Sequence, residues 1–368
     1  MSDNVRVYRA VRTALQQLYP SEPHGNLARH LNTLAGMVSG IVGSRRTNLP
    51  DIAKHAPDHT KPASRVKRFS RWVDNEGIEF DTYFLPFAEA ILACLAAWPL
   101  VLVMDGSVVG RGCVTLMLSV VYQHRALPIA WIVIQGRKGH FPEDTHLALV
   151  KQVQAWVPEA AQVIFLGDGE FDGTQLLATL NAWGWHYACR TAKNAVLSIA
   201  GAEFAYQDLT VQRGEVWGIS QVAFTQQAYG PVLAVAWWEE DEKEPLYLVS
   251  NLTYVNEVCR CAQRAKRFHI ETLFSDQKSR GFHLHKSHLS DPVRLSRLMI
   301  AAALAYLWMI FLGTLAVQED WVKIIHRTDR CDLSLFQLGL ALLEHFLNEE
   351  RFIPVAFNVL EAIGVVCV

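Results

Sequence analysis

The sequence predicts a mixed α/β protein: a helical N-terminal region, a core of alternating strands and helices, and a β-rich insertion within that core. Three observations predict it. Apolar residues recur at helical spacing through residues 1–95; from Pro99 onward short β-rich runs alternate with helical segments; and residues 195–250 are rich in Val, Tyr, Trp and Phe without helical periodicity. The 368 residues are 51% apolar and 19% charged, which suits a sizeable core and argues against disorder. The net charge is −2, so any surface for a polyanion must come from local basic clusters.

In the N-terminal region Val5, Val11, Leu15 and Leu18 recur near helical spacing, and residues 26–42 give a second apolar-periodic run. The segment TNLPDIAKHAPDHTKPASRVKRFSRWVDNE then reads as two short helices joined by a turn, with Thr60 in the cap region and Pro62 in the first turn of the second helix. That second helix carries Lys61, Arg65, Lys67, Arg68 and Arg71 with no acid among them, opposite a stripe of Val66, Phe69 and Val73. A basic face on a short second helix is what a helix-turn-helix presents to DNA phosphates; a solvated basic helix has the same pattern.

Beyond Pro99, PLVLVMDGS is a short apolar strand ending in Asp105. Residues 113–122 and 127–134 are two more strands across short polar turns, an antiparallel meander. Residues 144–157 read as a helix, 161–167 as a strand with Asp168 at its carboxyl end, 174–183 as a helix and 185–190 as a strand. The order β-β-β-α-β-α-β is the layout of an RNase H-like core. The β-rich insertion follows and closes with YLVSNL; its acidic run, residues 239–244, reads as a solvated turn. Residues 255–278 read as helical, Pro292 starts a long helix, and residues 318–350 add a helix pair. Residues 298–317 contain no charge over twenty positions, the length of a membrane span, but Tyr306 and Trp308 sit mid-segment, so a buried core helix is the preferred reading. The seven cysteines are odd in number and irregularly spaced, which points to reduced thiols and a cytoplasmic protein.

Catalytic groups of α/β sheets gather at strand carboxyl ends, where Asp105 and Asp168 are expected. Two clustered acids repel unless a cation lies between them, and magnesium takes oxygen ligands of this kind. Two strand-end turn aspartates would give the same pattern. The segment RAKRFHIETLFSDQKSRGF adds Arg267, Glu271 and Lys278, which fall within roughly 40° of one another on a helix, with Arg264 on the same side. One acid flanked by cations on a single face stays ionised, and the cations suit phosphates. The basic turn Arg137, Lys138 and His140 reads as solvated.

The order Asp, Asp, β-insertion, Arg-x3-Glu-x6-Lys resembles the insertion-sequence-four family of DDE transposases, whose signature is Tyr-x2-Arg-x3-Glu-x6-Lys. Arg267, Glu271 and Lys278 match it, and Arg264 stands where the family has tyrosine. GDGEFDG around Asp168, YACRTAKN with Arg190 and Lys193, and RCDLSLFQLGLALL near the C-terminus are similar to further family segments, so the resemblance covers residues 45–345. It implies cut-and-paste transposition of an insertion sequence, with Asp105, Asp168 and Glu271 holding two magnesium (or manganese) ions. It also implies that Arg190, Lys193, Arg264, Arg267 and Lys278, together with Arg65, Lys67, Arg68 and Arg71, contact DNA. Partners implied are double-stranded transposon ends and target DNA, and a second copy of the chain as a homodimer. Trp217, Trp237 or Trp238 in the insertion could stack an extruded base. The domain reading is residues 1–95 as a DNA-binding region, 96–194 with 251–316 as the catalytic core, 195–250 as the insertion and 317–368 as a helical C-terminal region. A nuclease or resolvase of the same fold, or an inactive transposase relative that only binds DNA, are the alternatives.

Overall fold

The computed structural model describes residues 2–57, 60–136, 141–267, 270–327 and 331–358, without the side chains of residues 264–267. The N-terminal region contains α1 (Asp3–Gln17), α2 (Gly25–Ser44), α3 (Leu49–His55), α4 (Pro62–Asp74), α5 (Phe80–Tyr83) and α6 (Leu85–Leu95). Pro62 opens α4, as its fixed φ favours, and Lys61 rather than Thr60 precedes it as the cap. Asn48 caps α3 by accepting from Asp51 N at 3.0 Å.

The core follows as β1 (Leu100–Gly110), β2 (Cys113–Tyr122), β3 (Arg125–Gln135), α7 (Glu143–Gln154), β4 (Val163–Gly167), α8 (Thr174–Ala182) and β5 (His186–Arg190). The insertion supplies β6 (Val196–Ile199), β7 (Ala202–Ala205), β8 (Val216–Phe224), β9 (Tyr229–Trp237) and β10 (Leu246–Ser250). All ten strands form one sheet in the order β3-β2-β1-β4-β5-β10-β9-β8-β6-β7. Strands β1, β2 and β3 pair antiparallel, whereas β4 lies parallel to both β1 and β5. Strand β10 pairs antiparallel with β5, so the insertion extends the core sheet edge to edge.

After the sheet come α9 (Val255–Arg267), α10 (Ile270–Gln277), α11 (Pro292–Gln318), α12 (Val322–Ile325) and α13 (Leu335–Asn348). Of the helix expected over residues 255–278, residues 255–267 and 270–277 are helical, residues 268–269 lie outside the described residues, and Lys278 lies just past the helical end at Gln277. The chain turns sharply there: Phe282 N bonds Asp276 O at 3.0 Å and His283 N bonds Lys278 O at 2.8 Å. A Cβ on Gly281 would fall 1.9 Å from Asp276 O, so only glycine admits this close approach.

Helix α11 is the spine of the molecule. It is long and apolar enough to cross a membrane, but 83% of its apolar window is buried inside the fold. It packs against α2, α4, β3 and α13. Arg297 donates to Ile78 O at 3.1 Å and Val73 O at 3.0 Å, satisfying carbonyls at and beyond the end of α4. Trp131 of β3 donates to Ser296 at 3.0 Å, and Trp308 donates to Pro354 O at 3.0 Å. The tryptophan in mid-helix is therefore a core residue with its polar edge satisfied. A capping box of Ser334 and Gln337 starts α13.

Candidate active site

The strand register places the first two acids. Strand β1 pairs with β4 up to Val103↔Leu166. Asp105, within β1, and Asp168, one residue past β4, each stand two residues beyond that last pair, so they lie level with one another along adjacent strands. Side chains two apart share a sheet face, and neighbouring strands lie about 4.8 Å apart. One sequence expectation needs correction here. Asp105 does not end its strand: β1 continues to Gly110, held by β2 through pairs that include Asp105↔Met117. What ends two residues before Asp105 is the pairing with β4, and that opens the sheet beside it.

The third acid comes from α10, which packs on β1 and β3. Asp105, Asp168 and Glu271 line one cleft of about 560 Å³, together with Glu170, Lys278 and Phe141. An adjoining depression of about 300 Å³ is bordered by the same three acids and by Arg190. Lys278 donates to the Ser107 hydroxyl and sits 5.5 Å above the Phe274 ring, which fixes its ammonium at the cleft wall.

The electrostatics of the cleft are dominated by carboxylates. Burial pushes Asp105 up to about 7, and the neighbouring charges of Asp168, Glu271 and Glu170 push the same way, against a hydrogen bond from Gly106 N at 2.6 Å. A cation in the cleft would relieve that repulsion. Among the described residues no group of three or more His, Cys, Asp or Glu closes on one ion. Hard divalent ions take carboxylate oxygens and complete their shells with water and phosphate oxygens. The all-oxygen donor set therefore fits a hard divalent ion.

The segment GDGEFDG holds three acids with three settings. Asp168 is exposed in the cleft and accepts from Glu170 N at 2.9 Å. Glu170 accepts from Phe141 N at 2.6 Å. Asp172 accepts from the Thr191 hydroxyl at 2.5 Å, tying the turn to the residue after β5, and burial raises its carboxyl above the ordinary range. His146 lies 3.7 Å from Glu170 and packs against the Phe171 ring, and burial lowers its ring below the usual histidine range.

Other sequence candidates are placed less centrally. Lys193 is exposed beyond β5, away from the residues lining the cleft. On α4, Lys67 and Arg71 are exposed, Arg65 donates to Ala56 O at 2.7 Å, and Arg68 stacks 5.2 Å from the Phe69 ring. None of the four borders the acid cleft. The side chains of Arg264 and Arg267 and the turn Arg137–Lys138–His140 lie outside the described residues. Of the three insertion tryptophans, Trp217 is 53% exposed. Trp237 and Trp238 are half-buried, the latter donating to Glu242 O at 3.0 Å. Sequence reasoning did not single out Ser107, Phe141 or Glu170; Glu170 stood inside a recognised segment, but nothing local tells an acid facing protein from one facing solvent.

No curated protein matches the chain. A solved structure described as the piggyBac transposase synaptic complex with hairpin DNA is similar over 94% of this chain and 79% of that chain, at 12% identity and a TM-score of 0.46. The family model described as the transposase DDE domain matches residues 100–308, from the first residue of β1 into α11. That span holds Asp105, Asp168 and Glu271 and exceeds half of the chain; the protein belongs to the DDE transposase family.

Proposed function

We propose that this protein is a metal-dependent DNA transposase of the insertion-sequence-four type. It nicks DNA at the ends of its element and joins the freed 3′-hydroxyl to a second phosphodiester. The observation that carries the reading is the equivalent register of Asp105 and Asp168 beside Glu271 in one cleft walled by Lys278. The strand order β3-β2-β1-β4-β5 supports reading the core as RNase H-like, with β6–β10 as its insertion.

In this reading Asp105, Asp168 and Glu271 hold divalent cations, magnesium in the cell and manganese in its place. When bound, such ions supply Lewis-acid stabilisation of an in-line displacement at phosphorus. The chain's own residues do the rest. Lys278, steadied by Ser107, and Arg190 offer positive charge to phosphates on either side of the acids. The exposed Lys67 and Arg71 on α4 grip duplex phosphates farther from the cut, which adds affinity without reading sequence. Trp217 is the insertion residue with a free ring face for a base extruded from the duplex. Double-stranded element ends and target DNA are the substrates, a homodimer pairs two ends, and the cytoplasm is the working compartment.

A strand-transfer assay tests the proposal. A precut, labelled end from the inverted repeats flanking the reading frame is offered with a supercoiled target and magnesium. Covalent joining of the label to the target is expected. Cleavage of uncut ends with no joining of precut ones would indicate a nuclease or resolvase instead.

A further inference from the structure

A chain of contacts runs from one aspartate to the other, and Glu170 is its centre. Asp168 Oδ1 accepts from Glu170 N at 2.9 Å. Glu170 Oε1 accepts from Phe141 N at 2.6 Å, across a sequence separation of 29. The Phe141 ring lies on Gly106, where an added Cβ would come within 2.6 Å of Phe141 Cε2. Gly106 N in turn donates to Asp105 Oδ1 at 2.6 Å. The two strands stop pairing at Val103↔Leu166, so no backbone bond between β1 and β4 fixes the acids beyond that point. The bracket through Glu170 and Phe141 spans that gap.

Resting on the metal-site reading above, we infer that Glu170 is a positioning residue: through Phe141 it sets the separation and orientation of the Asp105 and Asp168 carboxylates. Its charge strengthens the hydrogen bond from Phe141 N. His146 lies 3.7 Å from its carboxylate, and the Glu170 side chain is 17% exposed. Gly106 is required because any Cβ there displaces Phe141. Groups that orient metal-binding carboxylates typically change metal affinity about 10- to 100-fold when removed.

The test is manganese binding to the full chain without DNA, followed by electron paramagnetic resonance, with thermal melting and DNA binding measured alongside. Glu170→Ala should weaken manganese binding about 10-fold or more, with melting and DNA affinity retained. Glu170→Gln keeps an oxygen to accept from Phe141 N and should restore binding to within about 3-fold of the unaltered protein. Phe141→Ala withdraws the ring from Gly106 and should weaken binding as Glu170→Ala does; it carries the test if Glu170→Ala fails to fold. Equal affinity of the unaltered protein, Glu170→Ala and Phe141→Ala overturns the inference. So does Glu170→Gln as weak as Glu170→Ala, because the charge itself would then be a ligand. An unaltered protein that binds no manganese overturns the metal-site reading and this inference together.

Discussion

Helices α11 and α13 cross at two glycines, and alanine at either should push them apart. A Cβ on Gly339 would lie 2.0 Å from Met309 O, and one on Gly313 would lie 1.9 Å from Leu335 O. Both obstacles are backbone carbonyls of the facing helix or its start, so no side-chain rotation relieves them. An unstrained C···O contact is about 3.3 Å, so the helices must separate locally by about 1 Å. A gap of that size forfeits a quarter to a half of each van der Waals contact across it. Tyr306 of α11 and Phe336 of α13, both fully buried, stack across the interface, so side-chain contacts are lost with the separation. Alanine regains about 0.5–1 kcal/mol of helix propensity over glycine. The net expectation for Gly339→Ala is a loss of about 2–4 kcal/mol. In Gly313→Ala/Gly339→Ala the loss should be smaller than the sum, because one separation relieves both clashes. Urea unfolding followed by tryptophan fluorescence measures it. A Gly339→Ala protein within about 0.5 kcal/mol of the unaltered one, or more stable, would refute the close-packing argument.

Three further outcomes are expected. Asp276 is 2% exposed, and burial raises its carboxyl from the ordinary 3.8 to about 6, opposed by Arg125 and Arg280. The folded state therefore binds this proton more tightly than the unfolded chain does, so this carboxyl's contribution to stability is fully present below pH 4 and about 3 kcal/mol of it is lost as pH rises through 6; Asp276→Asn should make the fall in stability between pH 4 and 6 shallower, and equal pH dependence of the two proteins would count against it. Lys278→Ala should cut end cleavage by about tenfold or more and lower the salt dependence of DNA binding by roughly one phosphate contact; an unchanged salt slope would remove Lys278 from the DNA surface. Trp217→Ala should leave melting unchanged while weakening binding to ends with an unpaired base by about 1–3 kcal/mol; equal binding would assign the exposed ring another role.

The acids that line the cleft leave local marks in the sequence. Asp168 follows a short apolar strand, and Glu271 has cations at set distances on either side. For Asp105 the sequence suggests a strand end, whereas β1 runs on and only its partner stops. Strand termini depend on pairing, which a single segment does not encode. The strand content of residues 195–250 is legible in their composition, yet their edge-to-edge continuation of the sheet through β10 depends on long-range pairing with β5. Residues 298–317 were ambiguous for a physical reason: a helix surrounded on all sides by protein and one surrounded by lipid need the same apolar surface.

The central claim is that Asp105, Asp168 and Glu271 form one metal-dependent site for DNA cleavage. The direct measurement is magnesium-dependent nicking of DNA carrying the inverted repeats, by the unaltered protein and by Asp105→Ala, Asp168→Ala and Glu271→Ala, with DNA binding measured on the same preparations. Nicking that requires magnesium and is lost in all three variants, with binding retained, is the predicted result. Full nicking by any one variant, or nicking by the unaltered protein without a divalent ion, would contradict the account.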